Sequence, residues 1–330
     1  MTYLKTGAIA AVALLAALPA AAEWAPERPL EFVVASGAGG GTDNFARTIQ
    51  AILTKQDSIG RPVVVLNKGG GSGAEAFLYA KQNAGDPHKV IFGTNNVYLL
   101  PYVAKLAYST EDLQPVAALA MDEFLIWVKA DSPYQTAIDL IDAAKADPGA
   151  LPFGGSQSKD TDETLVALIE QKTGADFKYV PFNGGGEVGV QLAGGHVVAN
   201  VNNPNENLGQ WQAGAIRPLC VFAPQRMAES EPIFDGKGWH DIPTCAEQGV
   251  GIESYQMPRT VWVPAGVPED ALAFYRTALQ GVAESQEWKD YLTKTSQSGA
   301  FLTGDELQAF IDNSETSTVE VFKAEGWTAE

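Results

Sequence analysis

Residues 30–43 read LEFVVASGAGGGTD, and the chain runs on as NFARTIQAIL to residue 53. The stretch opens with a β-branched and aromatic run, residues 30–35. A glycine-rich turn follows, Ser36-Gly37-Ala38-Gly39-Gly40-Gly41-Thr42-Asp43, and then Phe45, Ile49, Ile52 and Leu53 fall on one face at helical spacing. A short continuous apolar run bounded by glycines is the pattern of a strand buried on both faces, and the spacing after it is that of an amphipathic helix. Similar β-branched runs occupy residues 62–66, 90–93, 124–128, 177–180, 197–201, 218–222 and 260–263. Helical faces come late in the chain as well. Leu272, Tyr275, Leu279 and Val282 follow Pro268, and a capping box of Thr303 and Glu306 introduces Leu307, Phe310, Ile311, Val321 and Phe322. Strands alternating with helices predict an α/β fold, a parallel or mixed sheet covered by helices.

Two further glycine-rich turns sit between a strand and a helix: KGGGSGA at residues 68–74, and Phe182-Asn183-Gly184-Gly185-Gly186-Glu187. Consecutive glycines let backbone N–H groups converge, and a helix start adds partial positive charge, so such turns suit an anion. In open α/β sheets ligands lie just beyond the carboxyl ends of the strands, where these turns fall. The alternative is that the glycines only permit tight packing of strand on helix. Gly40 and Gly184 are read as the positions that need a left-handed backbone or close approach of a ligand. Asp43 either caps the helix or accepts a hydrogen bond from ligand, water or an opposing lobe. Ser156, Asp160 and Thr161 occupy another strand-to-helix turn, while Asn202 and Asn203 either face a cleft or close a turn.

Catalytic and cofactor patterns fail. Gly37-x-Gly39-x-x-Thr42 lacks the third glycine of a dinucleotide fingerprint, and Gly69-x-Gly71-x-x-Ala74 meets its tolerant form only after the second strand. No lysine follows a glycine loop at the spacing phosphoryl transfer needs. Gly154-Gly155-Ser156-Gln157-Ser158 misses the nucleophile elbow at its last position, and His88, His196 and His240 have no metal-ligand spacing. The expectation is a binding protein, not an enzyme, with no cofactor and no metal. A secreted hydrolase built on Ser156 and a sensory receptor stand as the rival classes.

Lys5, an apolar run over residues 7–18 and Pro19-Ala20-Ala21-Ala22 predict a cleaved signal peptide, residues 1–22, and a periplasmic protein. The formal net charge is −18, which repels nucleic acid and anionic lipid and obliges any anionic ligand to rely on local donors. A mature chain of about 300 residues exceeds what one core supports, so two lobes are expected. No linker composition separates them, so they are joined by ordered crossings, read near residues 121–124 and 258–263. Cys220 and Cys245 are the only cysteines. After export they either pair or remain two buried thiols.

Read in order, these turns resemble the substrate-binding proteins of tripartite tricarboxylate transporters, the Bug family of periplasmic receptors. The markers are Arg28-Pro29-Leu30 before Gly39-Gly40-x-x-Asp43-x-x-Ala46-Arg47, then Pro62-Val63-Val64-Val65 with Asn67 and Gly71-x-Gly73-Ala74-Glu75-Ala76. Asp147-Pro148-Gly149, Val180-Pro181-Phe182, Leu192-x-Gly194-Gly195-His196-Val197 and Ile242-Pro243-Thr244 with Glu247-x-Gly249 complete the set. The resemblance implies a two-lobed type II periplasmic-binding fold, with lobe 1 at residues 23–123 plus 259–330 and lobe 2 at residues 124–258. It implies a monomer that captures a small di-, tri- or aromatic carboxylate for the large and small membrane subunits of a transporter. Carried over by position, Ser36, Ala38, Gly39, Gly40 and Asp43 form one side of the clamp, and Phe182, Asn183, Gly184 and Gly185 the other. Thr94, Asn95, Ser156, Thr161 and Asn202 line the remainder. Two departures stand out: Ser36-Gly37 replaces a more usual aromatic and proline, and Asn183 stands where many relatives carry lysine. Lys159 and the acidic residues beside it make the far end of the pocket polar.

Overall fold

The computed structural model describes residues 24–156, 158–182 and 184–329, so the predicted signal peptide and the candidate Asn183 lie outside the described residues. The strands are β1 (Leu30–Val34), β2 (Val63–Asn67), β3 (Lys89–Gly93), β4 (Leu113–Glu123), β5 (Leu125–Lys129), β6 (Pro152–Ser156), β7 (Lys178–Phe182), β8 (Ala199–Asn202), β9 (Ile216–Val221), β10 (Gln256–Pro264) and β11 (Ser298–Leu302). Between them run α1 (Gly41–Lys55), α2 (Ala74–Gln82), α3 (Asn96–Val103), α4 (Ala137–Ala146), α5 (Thr161–Thr173), α6 (Gly185–Ala193), α7 (Pro204–Gln212), α8 (Glu269–Glu284), α9 (Gln286–Thr295) and α10 (Gly304–Ala324).

Two mixed sheets result, ordered β11-β4-β10-β3-β1-β2 and β7-β6-β8-β5-β9. Each holds a parallel trio, β3-β1-β2 in one and β8-β6-β7 in the other, beside an antiparallel neighbour, β10 or β5. The central strands β1, β3 and β5 are mostly apolar because both of their faces are covered. Along β1, Leu30, Phe32 and Val34 pack with Phe45, Ile49 and Leu272, while Val33 faces Phe77, Tyr98 and Phe322. In β5, Ile126 and Val128 join one core, and Leu125 and Trp127 join another with Trp211 and Trp239.

The chain passes between the sheets at two adjacent places. Glu123 ends β4 in the first sheet and Leu125 begins β5 in the second, with Phe124 between them. On the return, the Tyr255 N–H still bonds the Phe222 carbonyl, and the next residue, Gln256, pairs with Glu123 in the first sheet. The rings of Phe124 and Tyr255 lie 5.6 Å apart, centroid to centroid.

Cys220 and Cys245 form a disulfide, closing the neck of the excursion that leaves β9 and returns toward β10. The predicted capping box at α10 is corrected: Thr303 is the N-cap residue, but its side chain makes no cap hydrogen bond. Among the described residues no helix is long and apolar enough to cross a membrane.

Candidate functional site

The parallel trios aim their carboxyl ends, and so their connecting turns, toward α1, α2 and α3 in one sheet and α5, α6 and α7 in the other. In the first turn Gly39 adopts a left-handed backbone with φ +80°. Its N–H donates to Asp43 Oδ2 at 2.8 Å. The buried Asp43 carboxylate also accepts from Arg47 Nε at 2.9 Å and from Asn67 Nδ2 at 2.9 Å, and Asn67 donates in turn to the Ser36 carbonyl at 3.2 Å. Burial works to raise the pKa of Asp43, but bonds from Arg47, Gly39 and Asn67 outweigh it and hold the carboxyl below the usual range. Asp43 therefore fixes the shape of the turn; the N-cap of α1 is Gly40, without a side-chain cap bond. Ala38 is exposed, and the Ser36 hydroxyl points to the Gly37 carbonyl. Gly69 of the next turn presses on the first, since a Cβ there would lie 2.6 Å from the Ser36 carbonyl carbon. After β3, the Thr94 hydroxyl accepts from the Asn96 N–H at 3.5 Å, and the buried Asn95 leaves Oδ1 without a partner.

One of the two alternatives read for Gly40 and Gly184, a left-handed backbone, is corrected: Gly40 has φ −73° and Gly184, the N-cap of α6, is extended at φ 173°. A Cβ at Gly184 would meet nothing within 4 Å. Gly185 is the constrained position, because a Cβ there would fall 2.1 Å from Glu206 Oε2. Asn202 is fully buried and supports this turn, donating to the Gly185 carbonyl at 2.7 Å and to Asn207 Oδ1 at 2.9 Å. Phe182 closes β7, half-buried against the tryptophan core.

In the turn after β6, the carboxylates of the chain itself occupy the backbone donors. Asp162 accepts from the Ser156 N–H at 2.7 Å, Asp160 from the Thr161 N–H at 2.8 Å, and Glu163 from the Lys159 N–H. Burial raises Asp162 to about 8 against the Ser156 bond, with help from Glu206. The donors expected to meet a ligand at Ser156 and Thr161 are therefore already engaged. Nor do the histidines approach this serine by any described bond; His88 contacts Asp86, and His240 contacts Ser230.

Arg259, on β10, went unnoticed in the sequence because it precedes the apolar run. Its guanidinium packs on Gly41, donates from Nη1 to the Thr42 hydroxyl at 2.9 Å and pairs through Nη2 with Asp122. Its Nε is buried without a partner. Glu206, across the lobes, is raised to about 7 by burial and Asp122, against the pull of the Asn203 N–H and Arg259. Glu123 is likewise raised to about 7 by burial, held by Gln256 and Ser298. Thus the glycine that opens α1 abuts Arg259, the glycine that opens α6 abuts Glu206, and the two charged groups act on each other. An arginine within a strand was the available signal.

A crevice of about 240 Å³ is lined from both sheets, by Ser72 and Asn96 beyond β2 and β3, and by Lys159 and Thr161 beyond β6. Thr161 lies in that lining together with Lys159 and Asp160 of the same turn; the turns at Ser36–Gly40 and Gly184–Gly185 lie outside it. Residues 45–326 match the tripartite tricarboxylate transporter family receptor. This chain belongs to that receptor family. Among solved relatives, a TctC solute-binding protein from Polaromonas aligns with this receptor at a TM-score of 0.78 and 26% identity, over 91% of this chain and 99% of that one. Rpa4515 of R. palustris, solved with adipate, aligns at 0.73 and 27% identity, over 92% and 99% of the two chains. BugT of Bordetella pertussis is 27% identical over 300 residues, 89% of this receptor and 88% of BugT. The two sheets of the receptor are the two lobes of a solute-binding protein.

Proposed function

We propose that this receptor works in the periplasm, captures a small organic carboxylate between its lobes and delivers it to the membrane subunits of a tripartite transporter. The lobes are assigned to residues 24–123 with 256–329 and to residues 124–255, following sheet membership on each side of Phe124 and Tyr255. The observation that carries the reading is the crevice lined by strand-end turns of both sheets. Turns at that end present helix N-termini, and Arg259 of β10 places a cation against the first turn of α1. Charge-assisted bonds contribute about 1.5–3 kcal/mol each, so a few suffice for micromolar capture without a reaction. The adipate held by Rpa4515 supports a carboxylate as the ligand here.

A thermal-shift screen of di-, tri- and aromatic carboxylates against the mature receptor tests the proposal. A ligand present at about 100 times its Kd stabilises the native state by about 2.7 kcal/mol, a shift of several degrees. No shift with any carboxylate, alongside a shift with uncharged or cationic solutes, would reject it.

A further inference from the structure

Resting on that reading, we infer that Lys159 is the residue that selects a second carboxylate on the ligand, in the crevice between the turns after β2 and β3 and the turn after β6.

Two features of the crevice argue for this. The first is the engagement of three backbone donors around the start of α5, where Asp162, Asp160 and Glu163 bond the N–H groups of Ser156, Thr161 and Lys159. Asp160 and Glu163 also place negative charge where an anionic ligand end would approach, so an anion is disfavoured at this helix start unless a side chain supplies the cation. Among the residues lining the crevice, Lys159 is the cation, with Asp160 as the other charged group. Asp160 turns inward onto its own helix through the Thr161 N–H and hydroxyl.

The second is the conformation and company of Lys159. Its backbone is left-handed, φ +57°, an uncommon state for a residue with a side chain, and Glu163 secures it by accepting the N–H. The same crevice is lined by Leu99, Leu100 and Val103 of α3 and Phe322 of α10, which give it an apolar wall, and by the hydroxyl residue Ser72. A crevice that combines an apolar wall with one lysine suits a hydrocarbon body that ends in a carboxylate. With the first carboxylate held near α1, the complementary ligand is a dicarboxylate with an aliphatic or aromatic body.

Isothermal titration of the mature receptor with straight-chain dicarboxylates from succinate to suberate, each beside the monocarboxylate of equal length, tests the assignment. Lys159→Gln is expected to weaken the tightest dicarboxylate about tenfold, the loss of one charge-assisted contact, and to leave its matched monocarboxylate unchanged. Lys159→Arg should retain most of the affinity, and the ligand-free melting temperature should be the same for all three proteins. Equal loss for both ligands, no loss for either, or a lowered ligand-free melting temperature that accounts for the change overturns the role of Lys159 while the receptor reading stands. Failure of the unmodified receptor to bind any member of the series overturns the receptor reading, and this inference with it.

Discussion

At Asp43 the four oxygen lone-pair directions are nearly all engaged, by Gly39, Arg47 and Asn67, and the carboxylate is buried. Asp43, read as either a helix cap or a ligand contact, is thus the strut of its own turn. The turn in turn depends on Gly39, the position there with a left-handed backbone. A side chain at such a position costs about 1–2 kcal/mol, and a β-branched one also resists the turn that the Asp43 bond requires. Gly39→Val is therefore expected to lower stability by about 1–2 kcal/mol and to abolish carboxylate binding. Gly184→Ala is expected to leave stability within about 0.5 kcal/mol, or raise it, because its backbone is extended and open space surrounds the missing Cβ. Urea unfolding and the carboxylate thermal shift on both variants check the pair. Which glycine of Gly39-Gly40-Gly41 takes the positive φ was not legible in the sequence, since three adjacent glycines are equally permissive and the choice is made by Asp43 and by Arg259 pressing on Gly41. Gly185 was legible only as a turn residue; the Glu206 carboxylate that excludes a Cβ there comes from a helix about twenty residues on.

Among the elements, β1, β3, β5 and β10 announced themselves by β-branched runs, whereas β6 did not. Its sequence, PFGGS, has little strand propensity, and it forms because Gly155 admits the Tyr179 hydroxyl and the Asp162 side chain, each within 3 Å of where a Cβ would stand. The same closeness buries Asp162 at the head of α5, and that makes the element sensitive to pH. Asp162 at about 8, with Glu123 and Glu206 at about 7, lie above ordinary carboxylate values through burial. The folded chain therefore holds protons that the unfolded chain releases between roughly pH 4 and 8. Stability from these groups is fully present below the unfolded pKa, near 4, and is lost as pH rises through 7 to 8. Asp43 has the opposite sign, contributing above the unfolded value and losing its contribution only in strong acid. The melting temperature should accordingly fall between about pH 5 and pH 8. Asp162→Asn keeps an acceptor for the Ser156 N–H and removes the charge, so it should flatten that fall and exceed the parent in stability at pH 8, by about 1–3 kcal/mol. A variant with an unchanged slope would place the proton uptake elsewhere. Calorimetry at three pH values makes the comparison.

For the whole molecule, two lobes followed from chain length and the absence of a linker, and the crossing at Phe124 from an apolar boundary; the pairing of Gln256 with Glu123 needed the structure, because register across long sequence separation leaves no local trace. That pairing sets the two crossings side by side, which confines relative lobe motion to rotation about one short region. Away from it, among the described residues, an exposed polar bond joins the lobes, Gln171 Nε2 to Glu325 at 3.2 Å. Exposed polar contacts of this kind contribute little, so the open and closed forms lie close in free energy and a ligand need supply only a modest bias. It supplies that bias because each lobe offers part of its complement: α1 with Arg259 from one side, the turn after β6 with Lys159 from the other. A carboxylate bound by one lobe alone would shift nothing, whereas one that reaches both gains its full affinity only after rotation. Small-angle scattering with a carboxylate that raises the melting temperature is therefore expected to give a smaller radius of gyration than the ligand-free receptor. Lys159→Gln should bind a matched monocarboxylate with the same affinity as the parent, yet show no added compaction when given the dicarboxylate. Equal dimensions for free and saturated receptor would mean a rigid site, and capture by lobe closure would have to be abandoned in favour of binding to a preformed cleft.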